Sequence, residues 1–243
     1  MFIKFLKKVF LKPIKIIEDD DFIKRLRSSV IGEGMLHEGN IYLIDYAIKN
    51  MPENGYVLEI GTYGGLSTNL ILHLLEKHSK NNKMIGCDAW VYEGYRDYTG
   101  KVNKTIDGKN SITRTHHMQY IKDAFINATT LFHSKILPYT CHLKSDAFFE
   151  KWKNNEGLSD VFKRNIVLNN FISFAYIDGD HSYKQTKKDF ENVSKYLVKG
   201  SFVLIDDSAD FLKFGSVEFI KEVKSNPDFK LIHKNPNYLF ERV

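Results

Sequence analysis

In "YVLEIGTYGG", residues 56–65, five residues suited to a strand run directly into a turn holding three glycines. The next stretch, "LSTNLILHLLEKH" at 66–78, sets Leu66, Leu70 and Leu74 on one broad apolar face and reads as a helix. A glycine-rich turn between strand and helix lets a ligand approach the backbone, and the helix N-terminus offers N–H donors. The spacing is not G-x-G-x-x-G, so the turn lacks the fingerprint that cradles a dinucleotide pyrophosphate. Glu59, at the strand's end, would repel a pyrophosphate and suits a ligand carrying an ammonium or sulfonium charge. Gly61, Thr62, Tyr63 and Gly64 are then the turn residues around that ligand. The competing reading is a tight turn and nothing more.

Working outward, short apolar runs keep alternating with longer helical patterns. "KMIGCD" at 83–88, "YTCHLKSD" at 139–146, "FISFAYID" at 171–178 and "SFVLID" at 201–206 read as strands. Between the last two, residues 182–200 read as a helix, opened by a Ser182–Gln185 capping box and stopped by Gly200. The tail "FKLIHKNPNYLFERV" reads as two more strands joined at Asn235-Pro236-Asn237. The expectation is an α/β fold: a Rossmann-like, doubly wound, mostly parallel seven-stranded sheet. Upstream, residues 18–50 read as helical and end at Pro52 and Gly55, which makes 1–50 an N-terminal helical extension of a domain at 51–243.

Composition narrows the partners. Lys4, Lys7, Lys8, Lys12 and Lys15 supply much of the formal charge of +5, and no later basic stripe with interleaved aromatics supports nucleic-acid binding. Those lysines alternate with Phe2, Phe5, Leu6, Phe10 and Leu11, so residues 1–17 are a candidate for weak membrane-surface contact or for packing on the domain or a partner subunit. No uncharged apolar span of 18 residues exists. Cys87 and Cys141 lack C-x-x-C spacing, which points to buried thiols in a reducing, cytoplasmic setting.

In a parallel sheet, ligands sit at the carboxyl ends of the strands, and the acidic residues of this chain fall there. Asp88 ends the second strand, where an acid accepts ribose hydroxyls or caps the next element. Ser145 and Asp146 close the third, where Asp146 either holds an adenine amino group or caps the helix after it. Asp178 ends the fourth strand, and Asp206 and Asp207 end the fifth. Adjacent strands lie about 4.8 Å apart, and three carboxylates there repel unless protonated or neutralised. A hard divalent cation such as Mg²⁺ resolves this; otherwise Asp207 points outward and Asp206 caps a turn. Asp180 and His181 come just after Asp178, and either is placed to take a proton from a bound hydroxyl. Their alternatives are a helix cap for Asp180 and a supporting hydrogen bond for His181. His37, His73, His78, His116, His117, His133, His142 and His233 show no ligand-like spacing.

The pattern resembles a class I S-adenosylmethionine-dependent methyltransferase. "EIGTYGG" resembles the first motif of that superfamily. This implies Glu59, Gly61 and Gly64 around the methionine part of the cofactor, Asp88 at its ribose, and Ser145-Asp146 at its adenine. "YIDGDHSY" with "GSFVLIDD" after it is similar to the metal-dependent sugar O-methyltransferases of the macrocin and aminocoumarin type. That likeness implies Mg²⁺ held by Asp178, Asp206 and Asp207, with Asp178 shared with the cofactor side, and Asp180 or His181 as the base. It also implies an antiparallel strand at the end of the sheet.

The likeness covers about residues 55–207 and departs at 91–135. That segment is expected to form a lid over the acceptor, with Tyr92, Tyr95 and Arg96 as candidate contacts. The expected activity is methylation of a hydroxyl on a sugar or sugar-bearing metabolite. A catechol, phenol or amine acceptor, or a binding protein on the same fold, are the alternatives. An N-terminal arm of about 50 residues is the candidate for contact between subunits.

Overall fold

A computed structural model of the chain describes residues 14–17, 20, 23, 31–91 and 114–243. The lysine-rich segment up to residue 13, and Tyr92, Tyr95 and Arg96, lie outside the described residues. No helix among the described residues is long and apolar enough to cross a membrane.

The main strands are β1 Tyr56–Ile60, β2 Met84–Asp88, β3 Tyr139–His142, β6 Ile172–Ile177, β7 Leu197–Ile205, β8 Phe229–Lys234 and β9 Tyr238–Arg242. Two short strands, β4 Leu158–Ser159 and β5 Asn165–Ile166, form a hairpin of their own. The seven-stranded sheet has the order β3-β2-β1-β6-β7-β9-β8. Every pair from β3 to β7 is parallel, and β9 runs antiparallel to both neighbours. All six residues of β6, "ISFAYI", are buried, as a central strand covered on both faces requires.

Helices α1 Glu38–Asn50 and α2 Leu66–Lys77 cover one face. There Leu43, Ile44, Leu70 and Leu74 pack with Phe174, Tyr176, Leu204 and Leu239. Helices α4 Ser145–Lys153, α5 Tyr183–Ser194 and α6 Gly215–Ser225 cover the other. Their Phe148, Phe190, Val193 and Phe219 meet Leu58, Ile85, Ala175 and Val203. Residues of one face alternate with those of the other along each strand. One register row therefore sets Thr140, Gly86, Glu59, Tyr176, Leu204 and Leu239 side by side.

Four boundaries differ from the sequence reading. Among the described residues of 18–50, Ile23 is helical and Glu38–Asn50 form a continuous helix, but the helical reading is interrupted between them. Residues 31–36 instead form a strap: Glu33 N–H donates to Gly64 O at 3.2 Å, and Leu66 N–H donates to Glu33 O at 3.3 Å. Gly32, at φ 146°, lies so close to Gly65 that a Cβ would stand 2.8 Å from its carbonyl carbon, and glycine-flanked Glu33 is a poor place to continue a helix. The third strand stops at His142, and Ser145 and Asp146 open α4. Helix α5 ends at Ser194, and Gly200 is not its stop. With φ 86°, Gly200 lies inside β7, where the pairing skips from Ile172–Leu197 to Phe174–Phe202 and the extra residues bulge. Finally, the segment 91–135 contains helix α3, Arg114–Phe132, whose Met118, Ile121 and Phe125 pack on Trp90.

Candidate active site

The glycine turn is closely packed from beneath. Gly61 sits at φ 84°, and a Cβ on it would stand 2.1 Å from the carbonyl oxygen of Asp178, so the end of β6 presses against the turn. Glu59 is completely buried. The Thr68 hydroxyl donates to its Oε2, while Oε1 has no partner; the nearby Thr62 hydroxyl is also buried without one. Burial is the largest influence on Glu59 and lifts its carboxyl from the usual 4.5 to about 7, with the nearby Ser67 and Thr68 hydroxyls opposing and the Asp88 charge adding. An orphaned carboxylate oxygen beside a glycine turn fits a cationic ligand group.

The raised value has a consequence for stability. Between pH 4.5 and 7 the folded chain holds more of the Glu59 proton than the unfolded chain does, so this contribution to stability falls as pH rises through that window. Glu59→Gln is therefore expected to stabilise the ligand-free protein at pH 8, by up to roughly 3 kcal/mol, and to do little at pH 4. Urea unfolding at both pH values checks this; equal shifts would reject it.

Asp88 ties the turn to β2. Its Oδ2 accepts from Thr62 N–H and Tyr63 N–H, both at 2.8 Å, and its Oδ1 from Trp90 N–H at 2.6 Å. Burial raises its pKa and these three bonds oppose the rise. The Trp90 indole N–H then donates to Tyr63 O at 2.9 Å, closing the loop.

Ser145 and Asp146 meet α5. Gln185 Nε2 donates to Ser145 Oγ at 3.1 Å, to Asp146 Oδ1 at 3.4 Å and to Asp189 Oδ1 at 3.0 Å, and Lys188 Nζ stands 2.5 Å from Asp146 Oδ2. The N-cap of α4 is Lys144 without a side-chain cap bond, so Asp146 does not cap that helix. Ser182 does cap α5, receiving Gln185 N–H at 3.3 Å. The return half of the capping box is made by Asp180 instead, whose Oδ1 accepts Ser182 N–H at 2.8 Å. That substitution leaves the Gln185 amide available to reach α4 and commits the exposed Asp180 to a local turn.

The acids at the ends of β6 and β7 come together. Asp178 N–H bonds Ile60 O at 2.8 Å and Asp206 N–H bonds Ile177 O at 2.9 Å, which carries the sheet ladder into both residues. The carboxyls of Asp178 and Asp206 lie close enough for each charge to act on the other. Asp178 is held well above the ordinary carboxylate range, first by burial and then by the charges of Asp206, Glu59 and Asp207. Asp206 is buried, and its Oδ1 accepts from the amides of Asn40 and Asn237, the latter at 2.8 Å. Asp207, at φ 48°, is only half-buried and turns toward His181, whose Nε2 stands 3.5 Å from Asp207 Oδ2 and 3.9 Å from Asp178 Oδ1. Burial raises Asp207 as well, with His181 and His37 opposing and Asp206 adding. The ring of Phe214, exposed, lies 5.4 Å from that of His181.

Among the described residues, no three His, Cys, Asp or Glu side chains form a ready-made metal cage. The sequence reading placed three acids on one ion. The structure instead sets Asp178 near Asp206, engages one oxygen of Asp206 with two amides, and turns Asp207 to an imidazole. The donor chemistry still suits a hard divalent cation: the carboxylates offer oxygen ligands, and their crowded negative charge, which raises Asp178 and Asp207, is what a cation would neutralise. His37, Asn40 and Asn237 were not read as site residues. Each comes from an element remote in sequence, and an N-cap or a turn is the ordinary use of those residue types.

Residues 58–208, more than half of the chain, match a family described as a methyltransferase domain. Uncharacterized protein R132 of Acanthamoeba polyphaga mimivirus is 26% identical over 156 residues, 63% of this chain and 52% of that protein. A second curated match is 25% identical over 210 residues but is covered over 19% of its length. The chain thus spans about half the length of one of these curated relatives, and far less of the other. Among solved structures, the fold is similar to that of the O-methyltransferase NovP, with TM-score 0.54, 14% identity, and 84% of this chain and 78% of that chain covered. It is also similar to the calicheamicin methyltransferase CalS11, with TM-score 0.53, 16% identity, and 93% and 95% covered. A second CalS11 structure carries the name TDP-rhamnose 3'-O-methyltransferase. At these identities the likeness speaks for the fold.

Proposed function

Because the chain belongs to the methyltransferase domain family, we propose that it transfers a methyl group from S-adenosylmethionine to a hydroxyl of a sugar or sugar-bearing metabolite, with a divalent cation such as Mg²⁺ assisting. The observation that carries this reading is the meeting of Asp178, Asp206 and His181 at the strand ends, beside the turn that holds the orphaned Glu59 oxygen. CalS11, a sugar methyltransferase by name, supports the acceptor class.

When bound, S-adenosylmethionine supplies an electrophilic methyl on a positively charged sulfur, and the cation supplies charge that favours the ionised acceptor hydroxyl. Glu59 would receive the positive end of the donor at its unpartnered oxygen, with Gly61, Thr62, Tyr63 and Gly64 forming the turn beside it. Asp88 holds the turn in shape and offers Oδ1 to the ribose side. Ser145 and Asp146 take the adenine side. Asp178 and Asp206 would hold the cation, with Asp207 beside them in the acidic set. His181 takes the acceptor proton at Nε2, a role its position favours over Asp180, whose carboxylate serves the α5 cap. Of the segment 91–135 expected to cover the acceptor, residues 92–113 lie outside the described residues.

Methyl-labelled S-adenosylmethionine, offered with nucleotide-linked deoxysugars, catechols and amines, tests the proposal. Label is expected on a sugar hydroxyl when Mg²⁺ is present and to disappear with a chelator. Chelator-resistant transfer to a catechol or amine rejects it.

A further inference from the structure

We propose that Asn40 and Asn237 are positioning residues for Asp206: they fix one oxygen of its carboxylate so that the other is presented to Asp178 and to the cation the two acids share. The proposal rests on the metal-assisted reading given above.

Asn40, in the first turn of α1, and Asn237, in the turn before β9, are both buried. Both amides donate to the same atom, Asp206 Oδ1. Asn237 also donates to Asn40 Oδ1 at 3.0 Å, and Asn40 donates to the Tyr176 hydroxyl at 3.3 Å. A carboxylate with two donors on one oxygen has lost its freedom to rotate. The network closes on itself in a buried place, where each unmade bond would be costly.

Asn237 has a separate structural task. Its Oδ1 accepts Ser208 N–H and Ala209 N–H, both at 3.0 Å, and so holds the loop after β7. That task uses only the amide oxygen. The N–H₂ end aimed at Asp206 is additional, and Asn40 has no part in holding that loop. The two elements are seated firmly: a Cβ on Gly39 would stand 1.7 Å from Asn235 O, and Asn235 Nδ2 donates to Gly39 O at 3.1 Å. Helix α1 therefore delivers Asn40 to the acid by resting on the Asn235-Pro236-Asn237 turn.

The test uses Mn²⁺ as probe and the full chain with S-adenosylhomocysteine present. Asn40→Leu, which leaves the Ser208 and Ala209 bonds intact, and Asn237→Ala are each titrated calorimetrically. Both are expected to weaken Mn²⁺ binding about 10- to 100-fold, while S-adenosylhomocysteine affinity stays within about twofold. If Asn237→Ala fails to fold, Asn40→Leu alone decides. Unchanged Mn²⁺ affinity in a folded variant overturns the positioning role and leaves the metal reading standing. Equal losses of Mn²⁺ and S-adenosylhomocysteine affinity also overturn it, since they mark a general structural defect. If the unaltered chain binds no Mn²⁺, the metal reading falls and the positioning role with it.

Discussion

Asp206→Asn is expected to lower methyl transfer by about a thousandfold or more while leaving S-adenosylhomocysteine affinity within about twofold. The substitution keeps the shape of the side chain and an oxygen that the amides of Asn40 and Asn237 can still bond. It removes one of the two carboxyls that meet at the tips of β6 and β7. The donor side of the site is built on β1 and β2, around Glu59 and Asp88, and no hydrogen bond links either of these to Asp206. Turnover and binding should therefore separate. Steady-state kinetics together with a calorimetric titration would show this, and near-normal turnover in the variant would remove the acids from the chemistry.

The second large effect is expected at His181. His181→Gln should reduce kcat by about 100- to 10,000-fold, the range for losing a general base, with KM changed only a few-fold. Its Nε2 lies 3.5 Å and 3.9 Å from oxygens of Asp207 and Asp178, so a hydroxyl held between those acids would be within its reach. Asp180→Ala is the control. Its carboxylate accepts the Ser182 N–H at the start of α5, and its loss should cost about 1 kcal/mol of stability with little change in kcat. The reverse ranking of these two variants would transfer the base role to Asp180.

The sheet could be read from the sequence because its signals are local. A mostly apolar "ISFAYI" reads as a buried central strand from its own residues, and the strand–glycine–helix turn at Glu59 needs no distant partner to be recognised. The ends of elements were harder. Gly200 has the positive φ that suits a helix stop, but it makes a bulge in β7 because strand pairing outweighed the local preference. The capping box at Ser182 was half right, because Asp180 displaced Gln185 from the reciprocal bond and Gln185 joined α4 to α5.

In the site, Glu59, Asp178 and Asp206 announced themselves by standing at strand ends. Their surroundings did not. Asn40 and Asn237 lie 197 residues apart yet bond each other and the same acid, a closure that only the folded arrangement of α1 over the β9 turn creates. The strap at residues 31–36 was invisible for the same reason, since its partner is the glycine turn itself and not a neighbour in sequence.

The central claim is that Asp178 and Asp206 share one divalent cation beside the bound methyl donor. A crystal structure of the full chain with S-adenosylhomocysteine and Mn²⁺, located by its anomalous scattering, tests it most directly. The account predicts one Mn²⁺ bonded to oxygens of both acids, with the amino group of S-adenosylhomocysteine at Glu59. A structure with the ligand seated at the glycine turn and no manganese between residues 178 and 206 would contradict it.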